Sequence, residues 1–171
     1  KKKLAQYPNL KVCYGHNKNK IEACNADMDK ADPDWDVVIL ASDDMIPLVK
    51  NYDKKIAGLI RTFFPNDDGI LHLNDTHHGK GLITLPILGK NYYNRFGYIY
   101  FPGYKSFFCD TEMTEVAYKL DAIIYVDLVL IKHRHAWFGE APYDNLYKRN
   151  DKYWKEDEAL FIERKNRNFD L

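Results

Sequence analysis

Four groups of polar side chains stand at the ends of apolar segments: Asp43 with Asp44, Asn74 and Asp75 with His77 and His78, Asp110 with Glu112, and His133 with His135. The first group carries the most chemistry. Asp36-Val37-Val38-Ile39-Leu40-Ala41 runs apolar and β-branched, then meets Ser42-Asp43-Asp44. Such a run reads as a strand buried on both faces, as in a parallel sheet. Ligands of open α/β sheets bind beyond the carboxyl ends of their strands. Two adjacent acids placed there repel each other and lose hydration unless a positive charge sits between them. A hard divalent cation satisfies both, because it takes carboxylate oxygens. The plainer alternative is a solvated turn or helix N-cap, where acids suit the positive end of the next helix.

The other groups carry alternatives too. His77-His78 lies in a glycine-rich loop and reads as a pair of mobile, exposed imidazoles, with Asp75 as a turn residue. Asp110 follows Phe107-Phe108-Cys109 and precedes a helical pattern. It serves there either as a cap or as a base that removes a proton from an incoming hydroxyl. His133 and His135 share one face if the preceding strand continues through them. Imidazole is a good ligand for Mn-type and Zn-type ions. A basic strand end on the surface would look the same.

The elements that must position these groups follow from periodicity. Leu10 to Tyr14 reads as a short strand. Asn17 caps a helix with Ile21, Cys24, Met28 and Ala31 on one face. After the strand Asp36 to Ala41, a helix spans about Pro47 to Phe63, with Pro47 in its first turn. Ile70 to Leu73 and Leu82 to Leu85 read as strands, and Lys90 to Phe96 as a helix closed by Gly97. Tyr98 to Phe101 is extended and Asp110 opens a helix. Ala122 to Ile131 forms one bent strand or two, His133 to Asp144 a loop, and Asp151 starts a final amphipathic helix. No repeat or linker divides the chain, so one α/β domain is expected.

The 171 residues, 46% of them apolar, are enough for one domain with a sizeable core. Basic and acidic residues balance at 25 each, and Lys1-Lys2-Lys3 adds no dense patch, so nucleic acid is not expected as a partner. No apolar run approaches the ~18 residues of a membrane span, and no apolar segment follows the three lysines as in a signal peptide. Cys13, Cys24 and Cys109 sit among apolar neighbours without CxxC spacing, so buried thiols and a cytoplasmic location are expected. Loop aromatics such as Tyr92, Tyr93, Phe96 and Tyr98 either stack on sugar rings or pack the core.

Taken in order, strand, Asp-Asp turn, long middle, Asp at a helix start, strand and His, the chain resembles the inverting glycosyltransferases of the A-type fold. The resemblance is to family 2-like enzymes and covers about residues 10 to 170. Ala41-Ser42-Asp43-Asp44-Met45 matches the Ser/Thr-Asp-Asp variant of the family's metal-binding Asp-x-Asp region. Phe108-Cys109-Asp110-Thr111-Glu112 is similar to the segment with the catalytic base, and Asn17 to Asn25 to the Asn-rich helix after the third strand. His133 and His135 resemble the late position that contacts metal or diphosphate.

The resemblance implies an α/β three-layer sandwich with a mixed, mainly parallel sheet, a truncated form of the nucleotide-diphospho-sugar transferase fold. It implies that Asp44 coordinates Mn²⁺ or Mg²⁺, which bridges the diphosphate of a UDP- or GDP-sugar donor as a Lewis acid. His133 or His135 would contact that metal or the diphosphate. Asp43 and Asn17 would contact the bound donor, Asp43 towards the ribose or sugar. Asp110 would deprotonate a saccharide or other hydroxyl acceptor as it attacks the anomeric carbon from the opposite face.

Two departures stand out. Ala41 occupies the place of the first acid of Asp-x-Asp, and the chain begins at the family's third strand, as would a fragment or a reduced form with weak or absent nucleotide binding. Without neighbours on both sides, the strand at Val37 to Leu40 moves towards an edge. Its exposed side is expected to be covered by self-association or by the N-terminal segment. The competing function is a non-catalytic carbohydrate- or partner-binding domain that kept the fold. A metal-dependent hydrolase using Asp75 and the histidines ranks lower, because no His-Glu-x-x-His spacing occurs.

Overall fold

The computed structural model describes Tyr7 and residues 9–171; Lys1-Lys2-Lys3 lies outside the described residues. In chain order the elements are α1 (Lys20–Asn25), β1 (Val37–Ile39), β2 (Met45–Pro47), α2 (Tyr52–Phe63), β3 (Ile70–Leu73), β4 (Ile87–Gly89) and α3 (Lys90–Phe96). They continue as α4 (Cys109–Lys119), β5 (Ile123–Val126), β6 (Ile131–His133), α5 (Asn145–Asp151) and α6 (Trp154–Asn166). No helix among the described residues is long and apolar enough to cross a membrane.

The main sheet has the order β1-β4-β3-β5, and β2 pairs with β6 in a separate two-stranded sheet. Alternation along the main strands explains the core. Ile70 and Leu88 join one apolar cluster with Ile21, Tyr92, Cys109, Met113 and Ala117. Their sequence neighbours Leu71 and Ile87 join the other, with Ile56 and Ile60 of α2. Successive side chains point to opposite faces, so a sheet covered on both sides needs apolar residues at every position. All four residues of β3 are buried, as that rule requires.

The sheet is mixed, but not mainly parallel. β3 and β5 pair in parallel, whereas β1–β4 and β3–β4 are antiparallel. The connections explain this. The chain crosses from β4 to β5 through α3 and α4, but between β3 and β4 it carries only a short 3₁₀ turn at Gly79–Gly81. A connection without a crossover helix reverses the chain. β1 is half-buried and stands at the sheet edge beside β4 alone. Leu10, Val12 and Tyr14 form no strand and are exposed, so the described part of the N-terminal segment does not cover that edge.

Several element boundaries shift for identifiable reasons. The cap of α1 is Asn19, not Asn17: its side chain accepts from the Glu22 N–H at 2.9 Å, while the Glu22 carboxylate accepts from Lys18 N at 2.8 Å. Pro47 lies in β2, not in a helix, because Leu48 N donates to Leu130 O at 2.9 Å across the small sheet. Leu82 to Leu85 is held by side chains instead of a strand partner, with Ile83 N donating to Thr114 Oγ1 at 3.0 Å. Tyr98 to Phe101 is bent, because Asn25 Oδ1 accepts from Ile99 N and Tyr100 N at 2.9 and 3.0 Å. Asp151 ends α5 instead of starting the last helix, and its carboxylate accepts from the Tyr143 hydroxyl at 2.7 Å. Of the thiols, Cys109 is buried, Cys24 is half-buried and Cys13 is exposed, so burial does not hold for all three.

α3 forms as its sequence predicts, and Gly97 closes it at φ 73° with its N–H on Tyr93 O. Its start depends on another glycine. Asp67 O accepts from Asn91 N at 3.0 Å and Tyr92 N at 3.2 Å, closing the first turn. A β-carbon on Gly89 would stand 2.2 Å from that oxygen. Backbone meets backbone there, and neither side has a flexible group to move. Gly89→Ala should destabilise the protein by about 1–3 kcal/mol in urea unfolding. A change under about 0.5 kcal/mol would show that the Asp67 turn shifts freely.

Candidate functional site

The small sheet assembles the centre. β2 and β6 pair with Met45 opposite His133, and Arg134 N donates to Asp44 O at 2.9 Å. This brings Asp44, the residue before β2, against the end of β6. His133 Nε2 lies 3.3 Å from Asp44 Oδ2, and both side chains are mostly buried. The other oxygen, Oδ1, accepts from the Ser42 hydroxyl. His133 Nδ1 is buried without a hydrogen-bond partner.

His135 stands next to this pair, its ring centroid 5.1 Å from that of His133. Its Nδ1 accepts from Trp137 N at 3.2 Å and caps the 3₁₀ turn Ala136–Phe138. Nδ1 is thereby the lone-pair nitrogen, and Nε2 carries the proton in the neutral ring. Burial, and then the neighbouring His133, lower the His135 pKa. The neutral form is favoured, and its one lone pair is engaged by Trp137 N, so the ring flanks the centre without a free nitrogen for an ion.

The second wall comes from the loop after β3. Asp75 is 4% exposed and its carboxylate is fully engaged. Oδ1 accepts from His77 N at 2.9 Å and His78 N at 2.8 Å; Oδ2 accepts from His78 Nδ1 at 2.6 Å and Thr84 Oγ1 at 2.9 Å. Burial alone would raise the Asp75 pKa, but these donors outweigh it and hold it at about 2. Asp75 is therefore an ionised anchor, more than a turn residue. His77 and His78 are likewise ordered and not freely exposed. His77 stacks on Phe138 with centroids 3.9 Å apart, and its Nε2 donates to His133 O at 3.2 Å. It also lies 3.4 Å from Glu140 Oε2, itself beside Lys132. His72 is separate: it is buried in β3, and burial lowers its pKa.

Asp110 lies one residue inside α4, whose N-terminus is fixed by α6. The buried carboxylate of Asp157 accepts from Lys105 N at 2.9 Å and from Ser106 N and Phe107 N at 2.8 Å each. Asp110 Oδ1 accepts from Thr111 N at 2.9 Å. Lys20 Nζ donates to Ser106 O at 3.5 Å, just before α4.

Of the residues singled out from sequence, Asp44, His133 and His135 come together. Asp43 is exposed in the turn, and Asn17 is exposed in the irregular segment before α1. The expected metal is only partly provided for. Two neighbouring ligands about 2.0–2.1 Å from an octahedral Mg²⁺ stand about 2.9 Å apart, closer than the 3.3 Å between Asp44 Oδ2 and His133 Nε2. Ser42 orients the carboxylate as an outer-shell partner does. A third donor is not yet in place: among the described residues no group of three or more His, Cys, Asp or Glu is arranged to hold an ion.

Sequence reasoning did not find the Asp75–His78 bond, Lys20 or Tyr147, whose ring packs edge-on against His135 at 5.3 Å. The one available signal was Asp75 three residues before His78, a spacing that permits a side-chain bond across a turn. No family model, no curated protein and no solved structure matches this chain.

Proposed function

We propose that this chain is a metal-dependent inverting glycosyltransferase, or the metal-binding part of one, moving a sugar from a nucleotide diphosphate donor to a hydroxyl acceptor. The observation that carries the reading is the meeting of Asp44 with His133 and His135 across the β2–β6 pair. Residues singled out on sequence order alone, some 90 positions apart, converge beyond the carboxyl end of β1. A three-layer arrangement accords with the apolar clusters on both faces of the main sheet.

In this reading Asp44 and His133 hold Mn²⁺ or Mg²⁺. Bound there, the ion supplies Lewis-acid stabilisation of the departing nucleoside diphosphate. Ser42 fixes the Asp44 carboxylate, and the His135 ring closes the site from the β6 side. Asp110, at the positive end of α4, takes the proton of the attacking hydroxyl. Trp137 and Trp154 are exposed, with ring centroids 6.3 Å apart, beside the His135 wall. Their faces suit stacking on an acceptor sugar. The same rings favour the second reading, a carbohydrate-binding domain without transfer.

Isothermal titration of UDP, GDP and their sugar conjugates, with and without Mn²⁺, tests the proposal. Metal-dependent binding should occur in the wild type and disappear in Asp44→Ala. A folded wild type that binds neither nucleotide at millimolar concentration but binds saccharides would favour the second reading. Binding that ignores both Mn²⁺ and Asp44→Ala would sink the first.

A further inference from the structure

His78 is held more tightly than a loop imidazole needs to be. Its partner carboxylate is buried, ionised and bonded by two backbone N–H groups and the Thr84 hydroxyl. The Nδ1–Oδ2 distance of 2.6 Å places the Nδ1 proton in that bond. Nε2 is then the one ring nitrogen left for a ligand, and the side chain remains 31% exposed. The ring edge packs on Phe138 at 5.5 Å, and Phe138 also contacts His135 at 6.3 Å. Phe138 thus touches both imidazoles, and the two rings share one wall. This wall adjoins the Asp44–His133 pair.

We propose that His78, clamped on Asp75, is a phosphate-binding residue whose Nε2–H donates to the diphosphate of the sugar donor. The assignment rests on the transferase reading above. The physical case has three parts. A phosphate at Nε2 and the Asp75 carboxylate behind Nδ1 would each accept a ring N–H, a pair of charge-assisted bonds on one imidazole. The clamp fixes the direction of that donor before the ligand arrives, so little rotamer freedom is lost on binding. The location beside Asp44 and His133 is where the leaving diphosphate lies if an ion sits on that pair. Asp75 is the positioning residue, because it acts through His78.

The test is titration of inorganic pyrophosphate, and separately UDP, into the full chain at saturating Mn²⁺. Wild type, His78→Ala and the distant control His16→Ala are compared, with folding checked by circular dichroism. The Kd for pyrophosphate should rise about tenfold or more in His78→Ala. Mn²⁺ affinity, titrated alone, should stay unchanged, and His16→Ala should match the wild type. Asp75→Asn, where it folds, should weaken pyrophosphate binding in the same direction. In ¹⁵N NMR, pyrophosphate should shift the His78 Nε2 signal of the wild type, which a merely structural role would leave alone. An unchanged pyrophosphate Kd in His78→Ala overturns the proposal. So does a loss confined to Mn²⁺ affinity, which would make His78 a metal ligand instead. His78-dependent pyrophosphate binding without any affinity for UDP- or GDP-sugars would sink the transferase reading and leave the anion site standing. Nucleotide-sugar binding untouched by His78→Ala would do the reverse, and a wild type that binds neither ligand overturns both.

Discussion

Arg164→Met should lower the unfolding free energy by about 3–5 kcal/mol in urea denaturation, the largest stability effect expected of any single substitution discussed. Arg164 and Glu112 are 5% and 4% exposed. The guanidinium donates from Nε to Glu112 Oε2 at 2.8 Å and from a terminal nitrogen to Oε1 at 2.8 Å. The other terminal nitrogen donates to Asp170 at 2.8 Å, and the Tyr104 hydroxyl donates to Glu112 at 2.7 Å. The guanidinium also lies 3.4 Å above the Phe101 ring. Met fills much of the space but leaves the Glu112 carboxylate buried without its counter-charge. Most of the cost should therefore disappear in the double variant Glu112→Gln with Arg164→Met, which removes the stranded charge. Single and double variants that lose the same stability would show that packing, not charge, dominates.

On the proposed transferase reading, Asp110→Asn should reduce sugar transfer by about 10²–10⁴-fold, the range for loss of a positioned general base. The substitution keeps an oxygen acceptor for Thr111 N and leaves the Asp157 clamp on the preceding loop untouched. Donor affinity and thermal stability should therefore match the wild type, so the loss falls on the chemical step. Steady-state rates with a saturating donor, beside a calorimetric donor titration, separate the two. Full activity in Asp110→Asn would remove it from the reaction and direct attention to another base near Lys20.

The sequence was most legible where one local rule acted alone. Lys90 to Phe96 with Gly97 behind it is a helix and its cap, and Ile70 to Leu73 is a strand, because propensity, pattern and burial agree there. β2 was misread because Pro47 suits a helix start, while its actual environment comes from β6 far along the chain. Long-range pairing leaves no local trace in a three-residue strand. The expectation of a mainly parallel sheet failed for a related reason. Periodicity identifies strands, but direction depends on which connections carry a packed helix. At the site, Asp44, His133 and His135 were chosen by type and order, and the fold brings them together. Asp75 and His78 were read as loop residues because nothing in the sequence says that a loop carboxylate is buried and bonded on every side.

The separateness of the β2–β6 ribbon bears on how the site behaves in time. It holds Asp44 and His133 through three residue pairs, outside the four-stranded sheet. Opening that ribbon would scatter the centre and draw Ile131 and Met45 from the second apolar cluster, while β3 and the first cluster stayed intact. Local openings of this kind need only a fraction of the global unfolding free energy. In a folding reaction, such a distant pairing closes after the nearer contacts have formed. The chain can therefore exist as a well-packed body whose centre is not yet built. A ligand that bridges the two strands would capture the assembled form by mass action, so slowed amide exchange at Ile46 and Lys132 on adding Mn²⁺ and nucleotide would report completion of the site itself.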